Sequence, residues 1–212
     1  LASMSDVRAA FGTRDNATIR DTAEEFWRRA QAGHDDAGGA AFTVSAPDGS
    51  ILASVGEQTP SPLRVGQALP ANVLDPARRA FPRQSAAFDW WDGAIWQVLV
   101  TPVYVDSGTR RSLLSILVAA HPVTDGTLRD LKERTAGTDF LVHVGDRTVL
   151  STVSAAAAGE LRVHPSRFAI RRTALEDGSH RSVGELWAVR SFEEVEARVG
   201  VLRRTILIAW MA

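Results

Sequence analysis

Residues 41–55 (AFTVSAPDGSILASV) can be laid over residues 139–153 (DFLVHVGDRTVLSTV) without a gap, and this pairing constrains the fold more than any other feature of the sequence. Phe42 meets Phe140, Val44 meets Val142, Asp48 meets Asp146, Leu52 meets Leu150 and Val55 meets Val153. Each stretch is a strand, a polar turn and a second strand, with alternating apolar positions that suit half-buried hairpins. Each follows a helical pattern and a glycine. The distance between the copies is too long for a solenoid repeat. It predicts two small α+β units in series, the first with more strands than the second.

The remaining elements fall around these hairpins. Asp6–Phe11 reads as a short helical piece, and a second piece capped at Asp15 or Asn16 runs to about Ala32, with Gly33 after its end. Ile19, Ala23, Phe26 and Ala30 form its apolar seam. Gln58–Pro70 holds Pro60, Pro62 and Pro70 and reads as a surface loop. Asp75–Phe81 is expected as a short helix with Pro76 in its first turn. A second hairpin covers Ala86–Trp91 and Ala94–Val105, and Ser112–His121 is apolar enough for a strand in mid-sheet. Thr127–Thr135 reads as an amphipathic helix, Ala155–Ala158 as a loop or helical turn, and Phe168–Leu175 with Arg181–Arg190 as the last hairpin.

That hairpin feeds a terminal helix. Ser191 and Glu194 have the spacing of a capping box, and Val195, Val199, Leu202, Ile206 and Ala209 continue as one seam. After Arg203 and Arg204 the chain becomes apolar, as at the start of a membrane-spanning helix with Trp210 in the interfacial zone. An ordinary docked C-terminal helix is the alternative. The ends, Leu1-Ala2-Ser3 and Trp210-Met211-Ala212, read as those of a piece of a longer chain. The segments are therefore 1–39, helical; 40–124, a first unit; 125–191, a smaller second unit; and 192–212, an exit helix.

Two such units, entered by a long helix (Asp6–Ala32), carrying hairpins at Phe42–Val55 and Phe140–Val153, and left through Gly184-Glu-Leu-Trp-Ala-Val-Arg-Ser-Phe-Glu-Glu, resemble a double Cache sensor. Cache domains are PAS-like extracytoplasmic modules of bacterial receptors. The resemblance implies an α+β fold: a long N-terminal helix, then two tandem PAS-like antiparallel-sheet units, then a helix leading to a membrane span. It implies a membrane-distal unit with a pocket for a small-molecule ligand, a homodimer through the terminal helices, and a bacterial inner-membrane protein whose sensor faces the periplasm. The host would be a sensor histidine kinase, with a chemoreceptor or a cyclic-di-GMP enzyme as other hosts. A non-sensing dimerisation or protein-interaction module is the rival reading. The amino-acid-binding signature of some double Cache receptors is not found.

Other chemistries find little support. The formal net charge of −1 gives no basic excess for nucleic acid, and the absence of cysteine excludes disulfides and thiolate chemistry. His34, His121, His143, His164 and His180 show no metal-ligand spacing, and neither a nucleophile motif nor a phosphate loop occurs. No cofactor, metal site or enzymatic activity is expected of this stretch of chain. Trp90, Trp96, Gln97, Tyr104 and His121 are the candidate ligand-binding residues, with Trp91 as an alternative on the opposite strand face and Arg79 (or Arg78 or Arg83) at the rim for an anion. The proline loop is expected to wall this pocket. The same aromatics would serve equally as core and interface.

Overall fold

A computed structural model of the chain describes residues 9–10, 15–31, 39–106, 111–135 and 137–192. The helical piece Asp6–Phe11 lies largely outside them. So do Glu194 of the capping box and the exit helix beyond Phe192. Among the described residues, no helix is long and apolar enough to cross a membrane.

Helix α1 spans Asn16–Gln31. The Asp15 carboxylate caps it, accepting the N–H groups of Ala17 and Thr18 at 3.3 and 3.1 Å. Its seam is buried as expected at Ile19 and Ala23, and the Phe26 ring lies 5.0 Å from that of Phe42. Behind it stand β1 (Ala41–Ser45), β2 (Ile51–Gly56), β3 (Ser85–Trp91), β4 (Ala94–Asp106) and β5 (Arg111–Pro122). They form one antiparallel sheet in the order β2-β1-β5-β4-β3. β5 is its central strand, which explains the apolar run: Ile116, Leu117, Val118 and Ala120 are all buried because both faces are covered. α1 packs on one face, against Phe42, Val44, Val103 and Leu117. Helix α2 (Ala71–Ala80) packs on the other, with Leu63 and Leu69 of the proline loop, Trp91 and Trp96.

α2 begins four residues earlier than the sequence suggests, so Pro76 lies inside the helix rather than in its first turn. Proline has no N–H, so the Asn72 carbonyl is left without its helical donor. The proline loop is also less superficial than expected, because Leu63 is fully buried.

The second unit contains α3 (Asp125–Arg134), β6 (Asp139–Val144), β7 (Arg147–Ser151), α4 (Ala155–Val163), β8 (Phe168–Glu176) and β9 (Ser182–Ser191). Thr124 and Thr127 cap α3 reciprocally, and Ser154 caps α4, which is longer than the expected turn. The sheet order is β7-β6-β9-β8. Replacing β2, β1, β5 and β4 by β7, β6, β9 and β8 turns one order into the other, and only β3 has no counterpart. The sequence repeat is thus a repeat of topology. Its registers differ by one residue. Val44 pairs with Ala53, whereas Val142 pairs with Leu150, because the second turn is tighter.

The chain divides into 1–123 with 175–183, and 124–174 with 184–212. The tip of the β8–β9 hairpin, Leu175–Val183, therefore belongs to the first unit, although its strands run in the second sheet.

Candidate functional site

The first unit holds a cavity of about 410 Å³. Its walls are α2, strand β3, the inward positions of β4 and the hairpin tip, while the proline loop takes no part. Val73, Ala87, Val98 and Val100 give it an apolar floor, and Arg79, Asp89, Glu176, Asp177 and His180 bring charge or polarity.

Strand alternation puts Ser85, Ala87, Asp89 and Trp91 on the inward face of β3. A carboxylate thus occupies a position where an apolar side chain is the norm, and Asp89 is only 8% exposed. Its Oδ2 accepts the Asn72 amide at 2.5 Å, and its Oδ1 accepts the neighbouring Trp90 N–H at 2.9 Å. Burial pushes the Asp89 pKa up. The Trp90 and Asn72 hydrogen bonds oppose this, the Asp177 charge adds to it, and Arg181 opposes it.

The hairpin tip is built around a second buried carboxylate. Asp177 Oδ1 accepts the Ser179 and Arg181 N–H groups at 2.8 and 3.0 Å. Its Oδ2 takes the Arg181 guanidinium in two bonds, from Nε at 3.0 Å and Nη2 at 2.8 Å. Burial works against this charge, yet the Arg181 and Ser179 donors hold the Asp177 pKa below the usual carboxylate value. Glu176 and His180 meet at 3.2 Å on the exposed side of the turn.

Gly178 seats the tip on α2. A Cβ at this position would lie 2.3 Å from the Asn72 carbonyl oxygen and 2.6 Å from Pro76 Cγ. Pro76 thus leaves a carbonyl without a helical donor, and the Gly178 backbone packs directly against that carbonyl. The Asn72 side chain meanwhile holds Asp89. One turn of α2 joins the edge strand to the tip.

The residues expected from sequence to form a pocket are divided between the two faces of the sheet. Arg79 lines the cavity. Trp96 lies on the same side of the sheet but is 4% exposed and part of the core, with its Nε1 donating to the Trp91 carbonyl at 3.2 Å. Tyr104 packs edge-on against Phe81, at 5.5 Å, with Arg111 over its ring. Trp90, Gln97 and His121 share the α1 side, where Gln97 and His121 are cross-strand partners. Of the alternatives, Trp91 is buried beside Trp96, and Arg78 donates to the Pro47 carbonyl at 2.8 Å. Asn72, Asp89, Asp177, Gly178 and Arg181 were not singled out in the sequence. The available signal was a charged residue at an inward position between Ala87 and Trp91.

Among the described residues, no group of three or more histidine, aspartate or glutamate side chains is placed to hold a metal ion.

No protein-family model matches the chain, and neither does any curated protein sequence. Solved structures do. Two crystal structures of the periplasmic domain of Vibrio cholerae LuxQ superpose on it. One has a TM-score of 0.56 at 17% identity, over 90% of this chain and 86% of the other. The second has a TM-score of 0.54 at 13% identity, over 90% and 87%. The sensor domain of the Vibrio cholerae histidine kinase DctB has a TM-score of 0.53 at 8% identity, over 90% and 85%. At these identities the likeness is one of fold. It is the α+β, tandem PAS-like architecture expected of a double Cache domain, with two antiparallel sheets of five and four strands.

Proposed function

We propose that the chain is an extracytoplasmic, periplasmic sensor domain of a bacterial inner-membrane signalling protein, with a sensor histidine kinase as its host. In this reading the cavity of the first unit takes a small-molecule ligand. The observation that carries it is the composition of the wall. Arg79, Ser85 and Asp89 share the cavity with Glu176, Asp177, Gly178 and His180 of the tip, and the strands on either side of that tip lie in the second sheet. Binding would alter how the tip is held, and β9 runs from the tip to Ser191, where the exit helix is expected. Dimerisation through the terminal helices and anchoring through residues 192–212 belong to the same reading, as does the absence of catalysis by this stretch of chain.

Thermal unfolding against a panel of organic acids, amines, sugars and aromatics tests it. A ligand at a hundred times its dissociation constant adds about 2.7 kcal/mol. A saturable shift that disappears in Ala87→Phe, which fills the cavity floor, supports the reading. The rival assembly module is favoured by one observation: Trp91, Trp96, Leu63 and Leu69 pack the middle of the α2 face solid. No shift across the panel would turn the balance to it.

A further inference from the structure

Two buried carboxylates, Asp89 on the edge strand and Asp177 on the hairpin tip, line one cavity, and their surroundings treat them oppositely. Asp177 receives four hydrogen bonds, two of them from a guanidinium. Among the described residues, Asp89 receives a neutral amide and a single backbone N–H. Two like charges lining one cavity repel each other and do not ionise equally. We propose that Asp89 makes the tip Leu175–Val183 an acid-tightened clasp: when Asp89 takes a proton its repulsion of Asp177 ends, and the tip seats more firmly on α2. The proposal concerns the cavity of the sensing reading and rests on that reading for its biological meaning, but it needs no ligand.

Among the described residues, α2, β4 and the tip line the cavity with Asp89. α2 contributes Asn72, which is neutral, and Arg79. β4 contributes Val98 and Val100. The tip contributes Glu176, Asp177, His180 and Arg181. Arg181 attracts Asp89 but is already held bidentately by Asp177. Burial raises the Asp89 pKa while the donors around Asp177 lower that of Asp177, so Asp89 takes up its proton while Asp177 keeps its charge. His180, the imidazole of the tip, also lines the cavity. Its ring faces Glu176 on the exposed side of the turn, so the test must separate it from Asp89.

The test is hydrogen–deuterium exchange of the unliganded 212-residue chain at about pH 7.5 and about pH 4, with protection corrected for intrinsic exchange and peptides covering 172–186 compared with 41–56. The wild type should gain severalfold protection in 172–186 on acidification, while 41–56 changes little. Asp89→Asn, a fixed mimic of the protonated state, should show the higher protection at both pH values. His180→Asn, which suits the left-handed backbone at 180, should keep the wild-type response. A flat wild type, an Asp89→Asn that still responds, or a response abolished by His180→Asn would each overturn the clasp. None of these outcomes bears on ligand binding, which the metabolite panel tests separately.

Discussion

Gly178→Ala is the sharpest probe of how the cavity is closed. The added Cβ would sit 2.3 Å from the Asn72 carbonyl oxygen and 2.6 Å from Pro76 Cγ, where ordinary contact begins near 3.4 Å. The obstacles are a helix backbone and a proline ring, so neither can swing aside as a flexible side chain would. The tip must lift by roughly 1 Å, straining the Asp177 turn and opening the cavity wall. Overpacking of this kind costs roughly 1–3 kcal/mol. At roughly 2–4 °C per kcal/mol for a chain of this size, the midpoint should fall by several degrees. Tryptophan fluorescence is the suitable assay, because Trp90, Trp91 and Trp96 lie on the β3–β4 hairpin of the first unit. Gly159→Ala is the control. It lies in α4 with nothing within 4 Å of its added methyl, so the same change there should stabilise by about 0.5–1 kcal/mol through helix propensity alone. If Gly178→Ala melts within about 1 °C of wild type while Gly159→Ala is stabilised, the tip is not seated on α2 and does not close the cavity wall.

Trp96→Ala should cost roughly 3–5 kcal/mol, because the indole is 4% exposed in the core, whereas Trp90→Ala, at an indole 36% exposed, should cost clearly less; chemical denaturation of both ranks them. Asp177 contributes stability that is fully present above the unfolded carboxylate pKa and is lost as pH falls through its lowered folded value. Asp177→Asn should therefore melt lower at neutral pH, with a shallower loss on acidification, in melts taken across pH. Burial, aided by Arg172 and opposed by Glu185, holds the His143 pKa below its ordinary value, so stability falls as pH drops from that ordinary value through the folded one. His143→Phe keeps a ring against Trp187, which stacks at 4.2 Å, and removes the buried unpartnered Nε2; it should melt no lower at neutral pH and lose that downturn, and a variant with an unchanged downturn would refute the assignment.

Much of the architecture was legible because it depends on local patterns. Asp15 caps a helix through groups two and three residues away, the Phe42 and Phe140 hairpins announce themselves by alternation, and β5 by its unbroken apolar run. The exceptions are instructive. Pro76 reads as a helix start because proline suits a first turn, but burial of Val73 and Leu74 extends α2 backwards past it. The aromatic cluster on β3 and β4 is compact in sequence and divided in space, since alternation sends Trp90 and Gln97 to one side of the sheet and Trp91 and Trp96 to the other.

The cavity itself was much less legible, and the reason is topological. Its walls combine residues 72–100 with residues 176–180, and no periodicity in either stretch records that they meet. Taken in chain order, the tip belongs with the second repeat, because β8 and β9 pair in the second sheet. Two small departures from regular patterns mark the place where it is received: an inward aspartate in β3, and a proline that costs α2 one hydrogen bond. Each is unfavourable within its own element. Together they present a carbonyl without a helical donor and an amide-held carboxylate to a glycine-tipped turn, and that turn could accept no larger residue at 178 without lifting away. Departures of this kind persist where a site is built rather than where a core is merely filled.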